Sequence, residues 1–226
     1  MADIKPIETV YNGYKFRSRL EARWAVFFDI VGIKYEYEPE GLKLSDGSYY
    51  LPDFYLPQFH SYFEVKRKGI KKTKEALEAE RKIFDGAWTD SWSGIICYGD
   101  PVDHDMTIYC QEMNDGGGGS YEGKVVFGYW QGTKEPMLFA WDDCRDRTFF
   151  NTFESSHTIP MQTDVGYEYL SNPFVTEEIK KAEIAARQAR FEYGETPDYK
   201  TIKFGNKVLR DMTSDFKAWK KNKGIE

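Results

Sequence analysis

From Arg17 to Val31 the apolar residues Leu20, Trp24, Phe27, Phe28 and Val31 recur at helical spacing. From Lys34 onward the period falls to two, with Tyr35 and Tyr37 alternating with charged neighbours. This switch within twenty residues points to an α/β (α+β) chain. Ser18 and Glu21 match a capping box at the start of the helix, and Gly32 is a natural stop. Three strands are expected after it. The first is Lys34 to Glu38. The second runs through Leu42 and Leu44, across a turn at Asp46-Gly47, and on from Tyr49 to Leu56. The third is Tyr62 to Arg67. A second helix from Lys72 to Asp85 carries Ala76, Leu77, Ile83 and Phe84 on its apolar stripe, and Gly94 to Tyr98 reads as a strand buried on both faces. The order is αβββαβ.

Beyond Gly99-Asp100-Pro101, a plausible boundary, the segments MTIYCQE, KVVFGYWQ and MLFAWDD read as further strands. Asn114-Asp115 and the run Gly116 to Gly119 interrupt them as a flexible, exposed loop. Asn172 as cap and Pro173 at the first helical position open a helix to about Tyr193, striped by Ile179, Ala182, Ala186, Ala189 and Tyr193. The division expected is a core over residues 1–99, an acidic β-rich extension over 100–170 and a helical segment over 171–226, able to pack as one domain. Aromatic residues make up 17 % of the 226, ring area enough to offset the entropy of ordering the chain, so disorder is excluded.

Seven Asp/Glu-x-Lys triplets occur, starting at Asp3, Glu64, Glu80, Glu122, Glu178, Asp198 and Asp215. Glu64-Val65-Lys66 differs from the rest in its setting. It lies on a strand, where residues two apart share a face, so Glu64 and Lys66 point one way and Phe63 and Val65 the other. Pro52-Asp53 lies on the preceding strand. With Gln58-Phe59 at the hairpin tip, cross-strand partners sum to 117 and Asp53 faces Glu64, with Cβ atoms about 5 Å apart. Carboxylates that close repel unless a cation separates them, and a hard divalent ion, Mg²⁺ or Mn²⁺, is the natural occupant.

Asp53, Glu64 and Lys66 in this helix–strand order resemble the PD-(D/E)XK phosphodiesterase superfamily, the restriction-endonuclease-like nucleases. Here the pattern reads Pro52-Asp53, ten residues, then Glu64-Val65-Lys66, and Glu21 in SRLEARW matches the acidic residue of the family's first helix. The resemblance covers about residues 13–99 and looks closest to small nucleases of phages and mobile elements. The second helix has no Gln-x-x-x-Tyr pattern, which argues against the recombination-exonuclease branch. The resemblance implies a mixed central sheet flanked by helices and metal-dependent cleavage of nucleic acid to a 5′-phosphate and a 3′-hydroxyl. Asp53 and Glu64, with the Val65 carbonyl, would hold Mg²⁺ (or Mn²⁺), Glu21 would bind a second metal or a metal water, and Lys66 would orient the attacking water.

Each of these residues also has a plainer role open to it. Glu21 completes the capping box, Lys66 begins the basic run Lys66, Arg67, Lys68, Lys71, Lys72, Lys74, and Asp53 and Glu64 suit a solvated strand face. A net charge of −6 is unevenly spread: residues 85–170 hold 4 Lys+Arg against 15 Asp+Glu, and both ends are mildly basic. Arg17, Arg19 and Arg23, with Arg67, Lys68, Lys71 and Lys72, are the expected phosphate contacts, and Lys180, Arg187 and Arg190 a further basic edge. DNA is the expected partner, RNA the alternative, and the acidic 85–170 segment suits a protein partner. Self-association as a homodimer is also open. A nuclease-fold binding or decoy protein without catalysis is the competing class. Tyr129, Trp130, Phe139 and Trp141 read as core rather than base-stacking platform. Cys97, Cys110 and Cys144 read as small buried hydrophobes, since with His104 their spacing fits no standard zinc set. His60, His104 and His157 are isolated, so nucleophilic Ser/His or Cys/His chemistry has no support. A cytoplasmic protein is expected, since neither a signal peptide nor an apolar run of membrane-spanning length is seen.

Overall fold

A computed structural model describes residues 6–89, 93–112, 119–129, 136–142, 147–151, 161–162 and 177–191. The chain begins with a hairpin that the sequence reading passed over, β1 (Thr9–Tyr11) and β2 (Tyr14–Phe16), joined by Asn12-Gly13 with both residues at positive φ. Such a turn matches the right-handed twist of the flanking strands. Helix α1 (Arg19–Val31) follows, two residues later than expected, because Ser18 stays extended as the N-cap. Its C-terminus closes on left-handed Gly32, whose N–H donates to the Phe28 carbonyl.

The region expected as three plain strands is more broken. Strand β3 is only Glu36–Tyr37. The continuous strand expected from Tyr49 to Leu56 does not form. Leu42–Lys43 (β4) and Tyr49–Tyr50 (β5) pair as a separate small hairpin, and β6 begins at Phe54 and ends at Leu56. Pro52, with no N–H to give a ladder, sits in the break. The backbone bond from Glu38 N–H to the Asp53 carbonyl (2.9 Å) ties the break to the end of β3.

Strand β7 (Ser61–Lys66) pairs with β6 in the register expected from sequence, Phe54 opposite Phe63 and Leu56 opposite Ser61. Its turn is not the two-residue tip. Pro57–Phe59 wind into one 3₁₀ turn and His60 takes the left-handed conformation at φ 48°. Helix α2 (Lys74–Thr89) then carries the chain to β8 (Ser93–Asp100), which lies parallel to β7.

At residues 99–101 the chain turns directly into β9 (Asp103–Glu112), antiparallel to β8. The sheet continues through β10 (Gly119–Tyr129), β11 (Pro136–Asp142), β12 (Arg147–Asn151) and β13 (Met161–Gln162). Nine strands in the order β13-β12-β11-β10-β9-β8-β7-β6-β3 form one mixed sheet, with β7 and β8 its parallel pair. Gly119 belongs to β10, while Gly116 to Gly118 lie outside the described residues, as do Trp130, Cys144, His157, Asn172, Pro173 and Tyr193. The last described helix, α3, is Glu177–Gln188. No helix among the described residues is long and apolar enough to cross a membrane.

Two cores sit on opposite faces of the sheet. On one, α1 and α3 bring Trp24, Phe27, Phe28, Ile179, Ala182 and Ala186 onto Phe54, Phe63, Val65, Ile95, Cys97 and Phe127. On the other, Ala76, Ala79 and Ile83 of α2 cover Ile96, Tyr98 and Tyr109. Buried Cys97 and Tyr129 belong to the first core, as expected. Phe28 lies within 6 Å, centroid to centroid, of Trp24, Phe27, Tyr35, Phe54, Phe63 and Phe127, and Trp24 Nε1–H donates to the Gly99 carbonyl (3.0 Å). Phe28→Ala is expected to remove about 3–5 kcal/mol of stability, read as a lower urea midpoint at unchanged slope.

Candidate active site

The β6–β7 register decides what stands on the α2 face. Phe54 and Phe63 oppose each other toward the larger core, so the next rung places Asp53 beside Glu64 on the opposite face. The Asp53 N–H donates to Glu64 Oε2 (3.2 Å) and the Val65 N–H donates to Asp53 Oδ2 (2.8 Å). Lys66, two residues along the strand from Glu64, returns its Nζ to Glu64 Oε1 at 2.5 Å. Both carboxylates are buried, Asp53 at 4 % and Glu64 at 2 % exposure.

Glu21 joins them from the first turn of α1. Its Oε1 accepts from Ser18 Oγ (2.6 Å), and its Oε2 accepts from the Tyr37 hydroxyl (2.7 Å) and the Arg17 N–H (3.1 Å). One rotamer of Glu21 therefore serves both the helix start, through Ser18 and the Arg17 N–H, and the cluster. The Glu21 charge is felt at Asp53. Arg17 closes the group: Nη2 donates to Asp53 Oδ1 (2.8 Å) and Nε pairs with Glu38 Oε1 (2.7 Å).

Three carboxylates and two cations thus share one partly desolvated place. Burial, then the charges of Glu64 and Glu21, push the Asp53 carboxyl well above the usual carboxylate range, against the Val65 N–H and Lys66. Burial alone would lower Lys66, but Glu64 and Asp53 outweigh it and hold the ammonium above the ordinary lysine value. Lys66 is therefore a fixed cation rather than a base. Tyr50 approaches Glu64 from the β4–β5 hairpin; burial and then the Glu64 charge keep its phenol protonated. Among the described residues no group of three His, Cys, Asp or Glu side chains stands preassembled around a metal position. The donor chemistry nonetheless suits a hard cation. Each Asp53 oxygen accepts one hydrogen bond and retains a lone pair, whereas Glu21 Oε2 accepts two. Glu21, Asp53 and Glu64 when ionised exceed Arg17 and Lys66 by one negative charge before Glu38 is counted.

The expected phosphate contacts do not all meet this site. Arg17 does. Arg19 and Arg23 are half-buried on α1. Arg67, Lys68, Lys71 and Lys72 are exposed beyond β7, but Lys68 pairs with Asp103 and Lys71 with Asp105 (2.6 Å), also lying over the Tyr98 ring. On α3, Lys180 pairs with Glu177 and Arg187 with Asp100. Sequence reasoning missed Tyr37, Tyr50 and Glu38. The only signal for Tyr37 was its place on the strand next to Asp53, opposite Phe54.

Compared with models of known protein families the chain matches none, and no curated protein matches it.

Asp53→Asn keeps an oxygen for the Val65 N–H and removes one of three crowded charges. Its unfolding free energy in urea is expected to equal or exceed the parent's by up to about 1 kcal/mol. A loss of stability would mean that the Arg17 pair outweighs the carboxylate repulsion.

Proposed function

We propose that this chain is a metal-dependent nuclease of the PD-(D/E)XK type, hydrolysing phosphodiester bonds of DNA to a 5′-phosphate and a 3′-hydroxyl. The observation that carries the reading is the convergence of buried Asp53 and Glu64 with charged Lys66 on one sheet face, with Glu21 arriving from a separate helix. A fold with only structural needs gains nothing from burying three like charges together, since each costs several kcal/mol to desolvate. Asp53 and Glu64, with the Val65 carbonyl, would hold Mg²⁺ or Mn²⁺, and Glu21 a second ion or a coordinated water. Such an ion supplies Lewis-acid polarisation of a phosphate oxygen and a more acidic water.

The protein's own contribution follows from the geometry. Lys66 is held by Glu64 and faces the same side as both carboxylates, so its ammonium orients the attacking water and offsets charge growing on the phosphate. Tyr37 and Ser18 fix the Glu21 carboxylate, and the Val65 N–H fixes Asp53, so the acidic groups need little rearrangement. A binding or decoy protein remains the second reading. It is favoured by the ion pairs that occupy Lys68 and Lys71, which leave less of the basic run for phosphates.

The deciding assay incubates linear, circular and branched DNA, and RNA, with Mg²⁺, Mn²⁺ or EDTA. Cleavage is expected with either ion and none with the chelator. Glu64→Gln is expected to weaken Mg²⁺ binding about tenfold or more by calorimetry without unfolding the chain. Lys66→Ala is expected to lower kcat about a hundredfold to a thousandfold while nucleic-acid affinity falls by one phosphate contact's share. Arg67→Ala and Lys68→Ala are the controls of equal charge. Equal losses in all three variants, through binding alone, would favour the decoy.

A further inference from the structure

Arg17 occupies the cluster in a way its sequence neighbours do not. Its side chain is 54 % exposed, whereas the side chain of Asp53, which it holds, is buried. The guanidinium therefore reaches inward from solvent. It takes Asp53 Oδ1 at 2.8 Å, while Oδ2 is already committed to the Val65 N–H. Lys66 compensates Glu64, so Arg17 is the cation in direct contact with Asp53. Nε on Glu38 completes a fork across two carboxylates that lysine cannot copy, since an ammonium has no planar pair of donors.

We propose that Arg17 is a tethered stand-in for the divalent ion: metal binding at Asp53 and Glu64 displaces its guanidinium from Asp53. The inference rests on the nuclease reading. An ion bound to Asp53 must come within about 2.1 Å of a carboxylate oxygen, which puts it beside a guanidinium already hydrogen-bonded to that carboxylate. Both cations cannot stay so close in a partly desolvated pocket. The mobile one yields, because the half-exposed guanidinium recovers solvent when it leaves. The Arg17 N–H remains bonded to Glu21, so the freed side chain stays at the mouth of the site, where a phosphate would meet it. The exchange is ionic and needs no co-reactant.

The test is calorimetric titration of Mg²⁺ into the full chain without nucleic acid, for the parent, Arg17→Lys and Arg17→Gln. Arg17→Lys keeps the charge and loses the fork. Both variants are expected to bind Mg²⁺ roughly fivefold or more tightly than the parent. The Arg17 Nη–H resonances, assigned by their absence from Arg17→Lys, are expected to leave their hydrogen-bonded position as Mg²⁺ is added, since Nη2 is the donor to Asp53. Tighter binding in Arg17→Gln alone, or a resonance that does not move, would show that the guanidinium acts through its charge and stays in place. Either result overturns the proposal and leaves the nuclease reading intact. No Mg²⁺ binding by any of the three folded proteins would instead remove the nuclease reading itself.

Discussion

Burying Asp53 and Glu64 side by side is the demand around which this half of the molecule is organised. Two carboxylates removed from water need more than the ladder of a sheet provides. The chain supplies the Asp53 and Val65 backbone N–H groups, Lys66 from the same strand, and Arg17 from before the first helix. The break at Pro52 serves this end. By leaving the ladder before β6, the chain frees the Asp53 N–H to bond a side chain rather than a neighbouring strand.

Helix α1 joins the two halves of the problem. Trp24 and Phe28 seat it in the aromatic core, and Glu21, one turn earlier, is delivered to the carboxylates by the same seating. The position of Glu21 is thus fixed by rings packed some distance away, as well as by Ser18 and Tyr37 beside it. Beyond β7, Lys68 and Lys71 meet Asp103 and Asp105 at the start of β9. Part of the negative charge concentrated in residues 85–170 is spent on these pairs rather than on an outside partner.

The features legible in the sequence were those governed by local periodicity. The helix expected from Arg17 to Val31 and the face shared by Glu64 and Lys66 follow from spacings of 3.6 and 2. The β6–β7 register came from placing Gln58-Phe59 at the tip, and it matches although the turn there is 3₁₀. The hairpin at Asn12-Gly13 carried a readable turn signal, but its strands are three residues each, too short for alternation to show. The break between Tyr50 and Phe54 was obscured because the apolar pattern runs through Pro52 without a gap. Least legible were the groups that hold the carboxylates. Tyr37 reaches Glu21 across 16 residues and Arg17 reaches Asp53 across 36, and no periodicity reports contacts set by tertiary packing.

The turn at residues 57–60 joins β6 to β7, and connecting turns normally absorb insertions without harm. Here its length acts as a gauge. Adding or removing one residue would slide β7 by one place against β6, and a slip of one place exchanges the two faces of a strand. Glu64 and Lys66 would turn into the phenylalanine core, and Phe63 and Val65 would come out beside Asp53. Phe59, buried in the larger core, and Gln58, which accepts the Lys34 N–H, tie down part of the loop's spelling as well, but the count of residues is what keeps the carboxylates on their face.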